Sequence, residues 1–375
     1  MNKYAKRYLI DAMSGMAQGL FASLLVGTII KTLGQNLMRL SENQVFKFLV
    51  DAGSFCCDPH VVGAAMAVGI GFAMGVHALV LFSLIAVGSA ANILGGAGGP
   101  LAVLIIAIIA SEAGMAVSKK TKVDILVTPI VTVLSGCLAA VLFAKYVGFA
   151  ASAVGKLIML TTELHPFVMG IFVSVVVGVA LTLPISSAAI CAALGLTGLA
   201  GGAAVAGCCA QMVGFAVMSF KENRWGGILS QGLGTSMLQM PNIIKNPRIW
   251  IPATVTSAIT GPIATCLFKM NMNGAAVSSG MGTCGLVGQI GVITGWFSPS
   301  TQAVEWAVHK AEKAGLAASE IANITQESLR INPNFIDWFG LLMICFILPG
   351  VICWAISLLL RKIGWIKDGD LKLPE

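Results

Sequence analysis

Charged residues are scarce in this chain of 375 residues. Asp, Glu, Lys and Arg together make up 10% of it, whereas about 25% of the residues in an average soluble domain are charged. Hydrophobic residues make up 57%, and the mean hydropathy is +0.89. Long, almost uncharged runs recur from one end of the chain to the other. These features exclude an ordinary soluble domain and predict an α-helical protein that crosses a membrane many times.

The chain also has little that would build a metal, redox or catalytic site. Its ten cysteines show no paired metal-ligand spacing, and its four histidines are scattered. Most of the cysteines lie in apolar runs, which is typical of small buried side chains and not of a disulfide framework. We find no nucleophile elbow and no phosphate-binding loop. The sequence therefore predicts no cofactor, no metal ion and no enzymatic activity of its own.

Basic residues outnumber acidic ones and cluster at the ends of apolar runs, with a formal net charge of +7. In membrane proteins such an excess marks cytoplasmic loops, so we assign it to topology and not to a nucleic-acid partner. The four clusters are Lys3, Lys6 and Arg7; Lys119, Lys120 and Lys122; Lys221 and Arg224; and Arg361, Lys362, Lys367 and Lys372. The pattern predicts that both ends of the chain lie in the cytoplasm.

Ten apolar segments are predicted to cross the membrane. They are residues 12–33, 59–76, 77–97, 99–118, 124–146, 166–184, 186–201, 202–220, 249–269 and 335–360. Two amphipathic stretches, 36–55 and 148–164, each follow a span and precede a proline, and such stretches usually lie at the membrane surface. The predicted fold class is an all-α polytopic membrane protein with about ten transmembrane helices.

An internal repeat relates the first four spans to the next four. Two sets of residues recur at constant offsets. The first set is Pro59, Gly63, Gly71 and Ala73, which recurs as Pro166, Gly170, Gly178 and Ala180. The second set is Gly114, Ala116 and Val117, which recurs as Gly214, Ala216 and Val217. We therefore divide this part of the chain into a first repeat over 1–120 and a second over 121–222. Duplicated bundles are common among transporters, whose substrate site lies where the repeats meet.

Two later segments do not fit as simple spans. Residues 225–247 have basic residues at both ends, and a full crossing by 274–296 would put the basic C-terminus outside. We therefore predict two re-entrant hairpins within 223–298, then a polar excursion over 299–334, and a last span with a basic tail over 335–375.

Residues 271–291 carry no charge but hold six glycines. Non-helical backbone at membrane depth survives only inside protein or beside a watery cavity, so 271–291 is predicted to line a polar path. Tight packing through small residues is the alternative.

Three stretches give the chain a resemblance to a known family: MNKYAKRYLIDAMSGMAQGL, PNIIKNPRIWIP and GMGTCGLVGQIG. The chain resembles the membrane components (EIIC) of the bacterial sugar phosphotransferase system, and most of all their stand-alone branch named after a perfringolysin O regulator. The resemblance covers nearly the whole chain. It implies a homodimeric sugar permease in the bacterial cytoplasmic (inner) membrane, with sugar bound near mid-membrane. The sugar would be phosphorylated on the cytoplasmic side by a separate EIIB protein, and a separate EIIA protein is a further implied partner. The Gly-Ile-Thr-Glu signature of the glucose-type members is absent from the sequence.

Sugar recognition requires neutral hydrogen-bond donors and acceptors, and the two predicted hairpins supply them. The candidate substrate-binding residues are Gln231, Thr235, Gln239 and Asn242 in the first hairpin, and Asn273, Ser279, Thr283 and Gln289 in the second. We expect some of these side chains to satisfy local backbone groups instead of a solute.

Three titratable residues are further candidates. Glu112 lies in an apolar run, where an ionisable group is costly unless it is paired or hydrated, so it is a candidate site of function. The alternative is an acid at the end of a helix, near Lys119 and Lys120. His77 and His165 lie where helices are predicted to begin, and each is either a substrate contact or a cap.

Three functions remain open from the sequence. The first is an EIIC permease that delivers a sugar or similar small polar solute to a separate EIIB protein. The second is a secondary transporter or facilitator of the same fold that works without phosphorylation, which a proton-linked Glu112 would favour. The third is a membrane sensor that regulates gene expression, although the sequence offers no DNA-binding module for it.

Overall fold

The computed structural model describes residues 4, 6–41 and 43–373. These residues form helices joined by short turns, and their one strand-like pairing is an isolated bridge between Gly198 and Met272. Six helical segments are long and apolar enough to cross a membrane, or seven if the bent pair Gln44–Cys56 and Pro59–Ala73 counts as one span. The predicted all-α polytopic membrane fold is confirmed.

The helices are numbered in chain order. The first eight are α1 (6–40), α2 (Gln44–Cys56), α3 (Pro59–Ala73), α4 (Ala78–Gly95), α5 (Gly99–Val117), α6 (Asp124–Thr161), α7 (Pro166–Thr182) and α8 (Ser187–Ala193). The other eight are α9 (Gly198–Met218), α10 (220–234), α11 (Met240–Lys245), α12 (Pro247–Leu267), α13 (Val287–Phe297), α14 (Thr301–Lys313), α15 (Ala318–Ala322) and α16 (Phe335–Lys362).

Helices α1, α3, α4 and α5 form one bundle in which small residues lie at the crossings. Gly15 of α1 is so close to α3 that an added Cβ would lie 2.1 Å from the carbonyl oxygen of Gly69. A Cβ on Gly63 of α3 would lie 2.4 Å from the carbonyl oxygen of Gly88 in α4. Small residues let helix backbones approach closely in a membrane, where the hydrophobic effect does not drive helices together.

Helices α7, α9 and α12 form a second group with the same kind of packing. A Cβ on Gly207 of α9 would lie 1.9 Å from the carbonyl oxygen of Ser174 in α7, and one on Gly261 of α12 would lie 2.1 Å from that of Gly170. The Ser174 hydroxyl donates a hydrogen bond to the carbonyl oxygen of Ser257 in α12, at 2.7 Å. The three helices are therefore in direct backbone contact.

One predicted span, 186–201, is wrong. Its first part forms only the short helix α8, which ends in a turn at Gly195, and α9 begins at Gly198. Both glycines have a positive φ, of +61° and +62°, a conformation that most other residues adopt only at a cost. The Ser187 hydroxyl of α8 donates to the carbonyl oxygen of Gly280, at 2.7 Å. The α8 segment therefore packs against the second predicted hairpin instead of crossing the membrane.

The two amphipathic stretches differ from each other in structure. In 36–55 the helix breaks after Leu40, and α2 turns back along α1, so that a Cβ on Gly53 would lie 2.5 Å from the amide nitrogen of Lys31. The stretch 148–164 is not a separate helix, because α6 continues through it to Thr161. A helix of 38 residues is about 57 Å long, well beyond a hydrocarbon core of about 30 Å.

The molecule has two ends, which we call the tail face and the distal face. The tail face carries the C-terminal segment 363–373 (called the tail from here on) together with the N-terminus of α1, since Lys6 and Lys372 line one cavity. The distal face carries the α6–α7 turn, where Glu163 forms an ion pair with Lys313. Asn92 donates to the carbonyl oxygen of Pro59 at 2.8 Å, and Gly98 lies against Val147. The end of the first amphipathic stretch and the start of the second therefore lie near the same end of α4, on the distal side of the molecule.

Each predicted hairpin has both its ends on one face. In 225–247, Asn223 just before it and Asn246 at its end both donate hydrogen bonds to the tail. In 271–296, a Cβ on Gly295 would lie 2.4 Å from the amide nitrogen of Gly274. Neither segment is a continuous helix: the first is extended at Thr235, and the second has positive φ angles at Gly282, Gly285 and Leu286. Their geometry is that of re-entrant hairpins.

The two halves of the predicted repeat are not alike in structure. The chain reverses between α1 and α2, whereas α6 runs straight through the corresponding residues. Helix α4 has 18 residues, whereas its counterpart α8 has 7. The repeat therefore stays a prediction.

The assignment of the tail face to the cytoplasm is also a prediction, and cysteine labelling tests it. In a background without the exposed Cys266, Lys122→Cys in intact cells should resist a maleimide that cannot cross the membrane, because this residue follows α5 at the tail face. Glu312→Cys, in α14 near the distal face, should react. Labelling of position 122 from outside would invert the topology.

Candidate functional site

The tips of the two hairpins meet in the interior of the molecule. Gly234 and Thr235 of the first tip and Met281 and Cys284 of the second line one small cavity of about 60 Å³. The remaining walls come from α1, α5, α7 and the start of α8, and most of their side chains are apolar. We call this space the tip cavity. Broken helices that meet at membrane depth are the usual setting of a transporter's substrate site.

Two larger cavities lie between the tip cavity and the tail face. One of about 610 Å³ is lined by Lys6, Asp11, Ser14, Gln18, Asn242, Lys245, Asp370 and Lys372, among others. One of about 260 Å³ is lined by Ser14, Ala17, Gln18, Phe21, Ser230, Leu238 and Leu373. Because the two share Ser14, Gln18 and Leu373, we treat them as one space, the vestibule.

The vestibule leads inwards from the tail face to the first hairpin tip. At its inner end lies the ring of Phe21, and a Cβ on Gly234 of the tip would lie 2.5 Å from that ring. Phe21 is 14 residues beyond Arg7 along α1, which is about 21 Å of helix. The vestibule therefore extends from the level of Arg7 over a length that exceeds half of a hydrocarbon core of about 30 Å.

Three predicted site residues of the first hairpin bind one another and the tail. Gln239 Nε2 donates to Gln231 Oε1 at 2.8 Å and to the carbonyl oxygen of Leu371 at 2.9 Å. Asn242 Nδ2 donates to Gln239 Oε1 at 2.9 Å and to the carbonyl oxygen of Lys372 at 2.8 Å. These amides hold the tail against the hairpin.

The fourth predicted residue of this hairpin, Thr235, lies at its tip and lines the tip cavity. Its hydroxyl accepts a hydrogen bond from the amide nitrogen of Met237 at 3.1 Å, which caps the helical turn that follows. Next to it, the Ser236 hydroxyl lies 2.8 Å from that of Thr182, which donates to Gln211. Of the four, Thr235 is therefore the one that reaches the tip cavity.

The predicted site residues of the second hairpin mostly bind backbone groups. Ser279 donates to the carbonyl oxygen of Leu196 at 2.6 Å, and Asn273 to that of Leu329 at 3.1 Å. With its amide turned so that both ends are satisfied, Gln289 donates to the carbonyl oxygens of Gly282 and Leu286 at 3.2 and 3.3 Å. The Thr283 hydroxyl lies 3.6 Å from the sulfur of Met212. None of these four side chains lines the vestibule.

Glu112, His77 and His165 lie at helix ends, apart from the hairpins. Glu112 forms an ion pair with Arg7 at 3.0 Å, and its side chain is 41% exposed. His77 precedes α4, with its Nδ1 3.0 Å from the Ser118 hydroxyl. His165 precedes α7 at the distal face and is exposed. The structure does not bring these three residues together.

Ion pairs add to the attachment of the tail and of the end of α16. Asp368 of the tail pairs with both Lys221 and Arg361, and Arg361 Nη2, at the end of α16, lies 2.7 Å from Glu222 Oε1 of α10. The hydrogen bond from Lys221, followed by the charges of Lys221 and Arg361, lowers the pKa of Asp368 below its usual value. A lowered carboxyl pKa means that this contact is present at neutral pH and is lost as the pH falls through the lowered value.

The sequence analysis missed the α1 wall of the vestibule. Asp11, Ser14, Gln18 and Phe21 follow each other at intervals of three and four residues, which puts them on one face of the helix. That spacing could have been noticed. In the part of the chain that the structure describes, no group of three metal-ligating side chains is present.

Comparison with known proteins places the chain in a family. Neither a curated protein nor a solved structure matches it. The sequence model of the family described as "Phosphotransferase system, EIIC" matches residues 10–373. This range includes all the membrane-crossing helices after the first turn of α1, both hairpins and the tail. The chain therefore belongs to the EIIC family of the phosphotransferase system.

Proposed function

We propose that this protein is a sugar permease of the stand-alone EIIC branch, which takes up a sugar or similar small polar solute at the distal face and releases it at the tail face. The observation that carries the proposal is the vestibule, which runs from the tail face to the first hairpin tip. Its outer part, of about 610 Å³, is in the range of small-molecule sites, which is about 300–1,000 Å³, and its inner part adds about 260 Å³.

The vestibule and the tip cavity together describe a path that is wide at the tail face and narrow at the hairpin tips. The vestibule is open at the tail face, whereas the tip cavity has only about 60 Å³ and closes the path beyond it. Thr235 and Cys284, one from each tip, line this closed part. A solute in the vestibule would therefore exchange with the cytoplasm, where a separate EIIB protein would phosphorylate it.

The alternative of proton-linked transport through Glu112 is not favoured by its surroundings. Its carboxylate lies 3.0 Å from the guanidinium of Arg7, which gives it a structural partner at the tail face. A paired carboxylate at a helix end favours an ion pair that fixes α1 against α5 over a proton carrier in the transport path.

The homodimer implied by the family resemblance is part of the proposal. Helix α6 has the least buried apolar window of the six candidate spans, at 28%. Its exposed side chains include Ile130, Leu134, Leu138 and Phe143. This apolar face requires either lipid or a second subunit as its neighbour.

Transport assays with purified protein test the proposed function. Proteoliposomes would be given radiolabelled glucose, galactose, mannose, fructose and N-acetylglucosamine, with and without the soluble phosphotransferase proteins and phosphoenolpyruvate. We expect at least one sugar to accumulate as its phosphate only when the phosphoryl donors are present. Equal uptake without donors would instead make the protein a facilitator, and no uptake of any sugar would refute the permease.

A further inference from the structure

Ser14 and Gln18, two polar side chains of the α1 wall, differ from Ser23 and Thr28 of the same helix in having no hydrogen-bond partner among the residues that the structure describes. Ser23 and Thr28, farther along α1, donate to the carbonyl oxygens of Gly19 and Leu24, at 2.8 and 2.6 Å. Such bonds to the preceding turn are the usual way for a hydroxyl to be satisfied within a helix. Among the described residues, neither Ser14 nor Gln18 makes a hydrogen bond to another group of the protein.

A third unpartnered group lies across the vestibule. Ser230, in the π turn of α10, has a hydroxyl oxygen that is shielded from solvent and has no hydrogen-bond partner in the described structure. It lines the same inner cavity as Ser14 and Gln18. A shielded hydroxyl without a partner costs about 1–3 kcal/mol, and the inner cavity is the space into which the Ser230 side chain can turn to find one.

The same wall also offers an acid and an aromatic ring. Asp11 lines the outer cavity and forms no ion pair with the described residues, and Phe21 closes the inner cavity. On the other side of α1, Met13, Met16 and Leu20 are buried in the core of the bundle. Helix α1 is thus amphipathic: one side packs in the core of the bundle, and the opposite side lines the vestibule.

We propose that Asp11, Ser14 and Gln18 of α1, with Ser230 opposite and the ring of Phe21 beneath, form the face that recognises a monosaccharide-sized polyol. This inference rests on the proposed function and names the residues that perform it. Hydroxyl groups of a sugar both donate and accept hydrogen bonds, which matches a carboxylate, an amide and two hydroxyls. The apolar C–H side of the sugar ring would lie against Phe21. The inner cavity of about 260 Å³ has room for one such ring.

The depth of these residues agrees with this role. Gln18 is 11 residues beyond Arg7, about 16 Å along α1, and half of a hydrocarbon core is about 15 Å. The recognition face therefore lies near mid-membrane. The hairpin amides Gln239 and Asn242, by contrast, are bonded to the tail, and Gln231 is bonded to Gln239.

Direct binding measurements on the full chain in detergent test the inference. The probes are glucose, galactose, mannose, fructose and N-acetylglucosamine, and each variant is titrated with the sugar that binds the wild type most tightly. Ser14→Ala and Gln18→Leu should each weaken binding by about 5- to 150-fold, because a sugar hydroxyl loses its partner. The matched control is Ser23→Ala, also on α1, which should bind as the wild type does because that hydroxyl is already bonded to Gly19.

A second measurement does not depend on the tolerance of these substitutions. Ser14→Cys, in a background without Cys266, should react with N-ethylmaleimide, and a bound sugar should slow the reaction. If Ser14→Ala and Gln18→Leu bind sugar as the wild type does and sugar leaves the Ser14→Cys reaction unchanged, the recognition face is wrong while the permease stands. If no sugar binds the wild type, the permease fails and the recognition face fails with it.

Discussion

Replacing Arg361 by methionine is expected to lower the free energy of unfolding by about 3 to 5 kcal/mol and to loosen the tail, which keeps its bonds to Lys221, Gln239 and Asn242. The Arg361 side chain is 16% exposed and that of its partner Glu222 is 6% exposed. The substitution leaves the Glu222 carboxylate shielded from water without its counter-charge, and it removes a bond to Asp368 as well. The loss comes mainly from the stranded charge, because a buried carboxylate without a partner is costly.

Thermal denaturation in detergent measures the loss of stability, and trypsin reports the loosening of the tail. Lys367 lies within the tail, so cleavage after it should be faster in Arg361→Met than in the wild type. The control is Arg330→Met, which removes a pair with Glu327 whose side chains are 52% and 76% exposed and which should cost at most about 1 kcal/mol. The double variant Arg361→Met with Glu222→Leu should recover part of the loss. An Arg361→Met protein as stable as Arg330→Met would show that the ion pair between Arg361 and Glu222 does not stabilise the packing of α16 against α10.

The helices were predictable from hydropathy because a membrane selects long apolar segments. Nine of the ten predicted spans coincide with a long helix of the structure. The exception, 186–201, carries no charge or proline after Pro184 that would mark its break. The break depends on Gly195 and Gly198, and a glycine in an apolar run is equally compatible with helix packing. Only the contact with the second hairpin decides between these two possibilities.

The partners of the hairpin amides were not predictable from the sequence. Gln239 and Asn242 bind the carbonyl oxygens of Leu371 and Lys372, about 130 positions away in the chain. Composition shows that such a side chain needs a partner but not whether a solute or a distant backbone group supplies it. In α1 the reverse holds: Asp11, Ser14 and Gln18 line a cavity but were not predicted to, because the overall hydropathy of the helix concealed its polar face.

The sequence also left open why the second hairpin needs its glycines. Gly285 has a φ of +52°, and a Cβ there would lie 3.2 Å from Ile29 of α1. Substitution at this position therefore strains the backbone besides filling space. A loss of transport in such a variant would not distinguish a blocked solute path from a folding defect. The comparison of Ser14→Ala with Ser23→Ala, on the same helix, does distinguish them.

The second large effect is expected at Gly207, where even alanine should prevent normal folding. A Cβ at this position would lie 1.9 Å from the carbonyl oxygen of Ser174 and 2.5 Å from its carbonyl carbon. Both atoms belong to the backbone of α7, so no side chain can rotate away, and α7 and α9 must separate. That movement would disturb the bond from Ser257 Oγ to the carbonyl oxygen of Gly207, at 3.3 Å. Overpacking typically costs about 1–3 kcal/mol and occasionally more, and a clash between two backbones belongs at the upper end.

The consequence of Gly207→Ala should extend to the second hairpin, because the next residue of α9 supports it. A Cβ on Gly282 would lie 2.6 Å from the Cβ of Cys208, so a shift of α9 moves the hairpin tip. We expect Gly207→Ala to give little monodisperse protein, or protein with a clearly lower melting temperature and no sugar uptake. The control is Gly350→Ala in α16, where the nearest atom is a Val217 methyl at 3.5 Å and the higher helix propensity of alanine should give up to about 1 kcal/mol. Gly207→Ala that melts and transports as Gly350→Ala does would show that α7 and α9 are not in backbone contact.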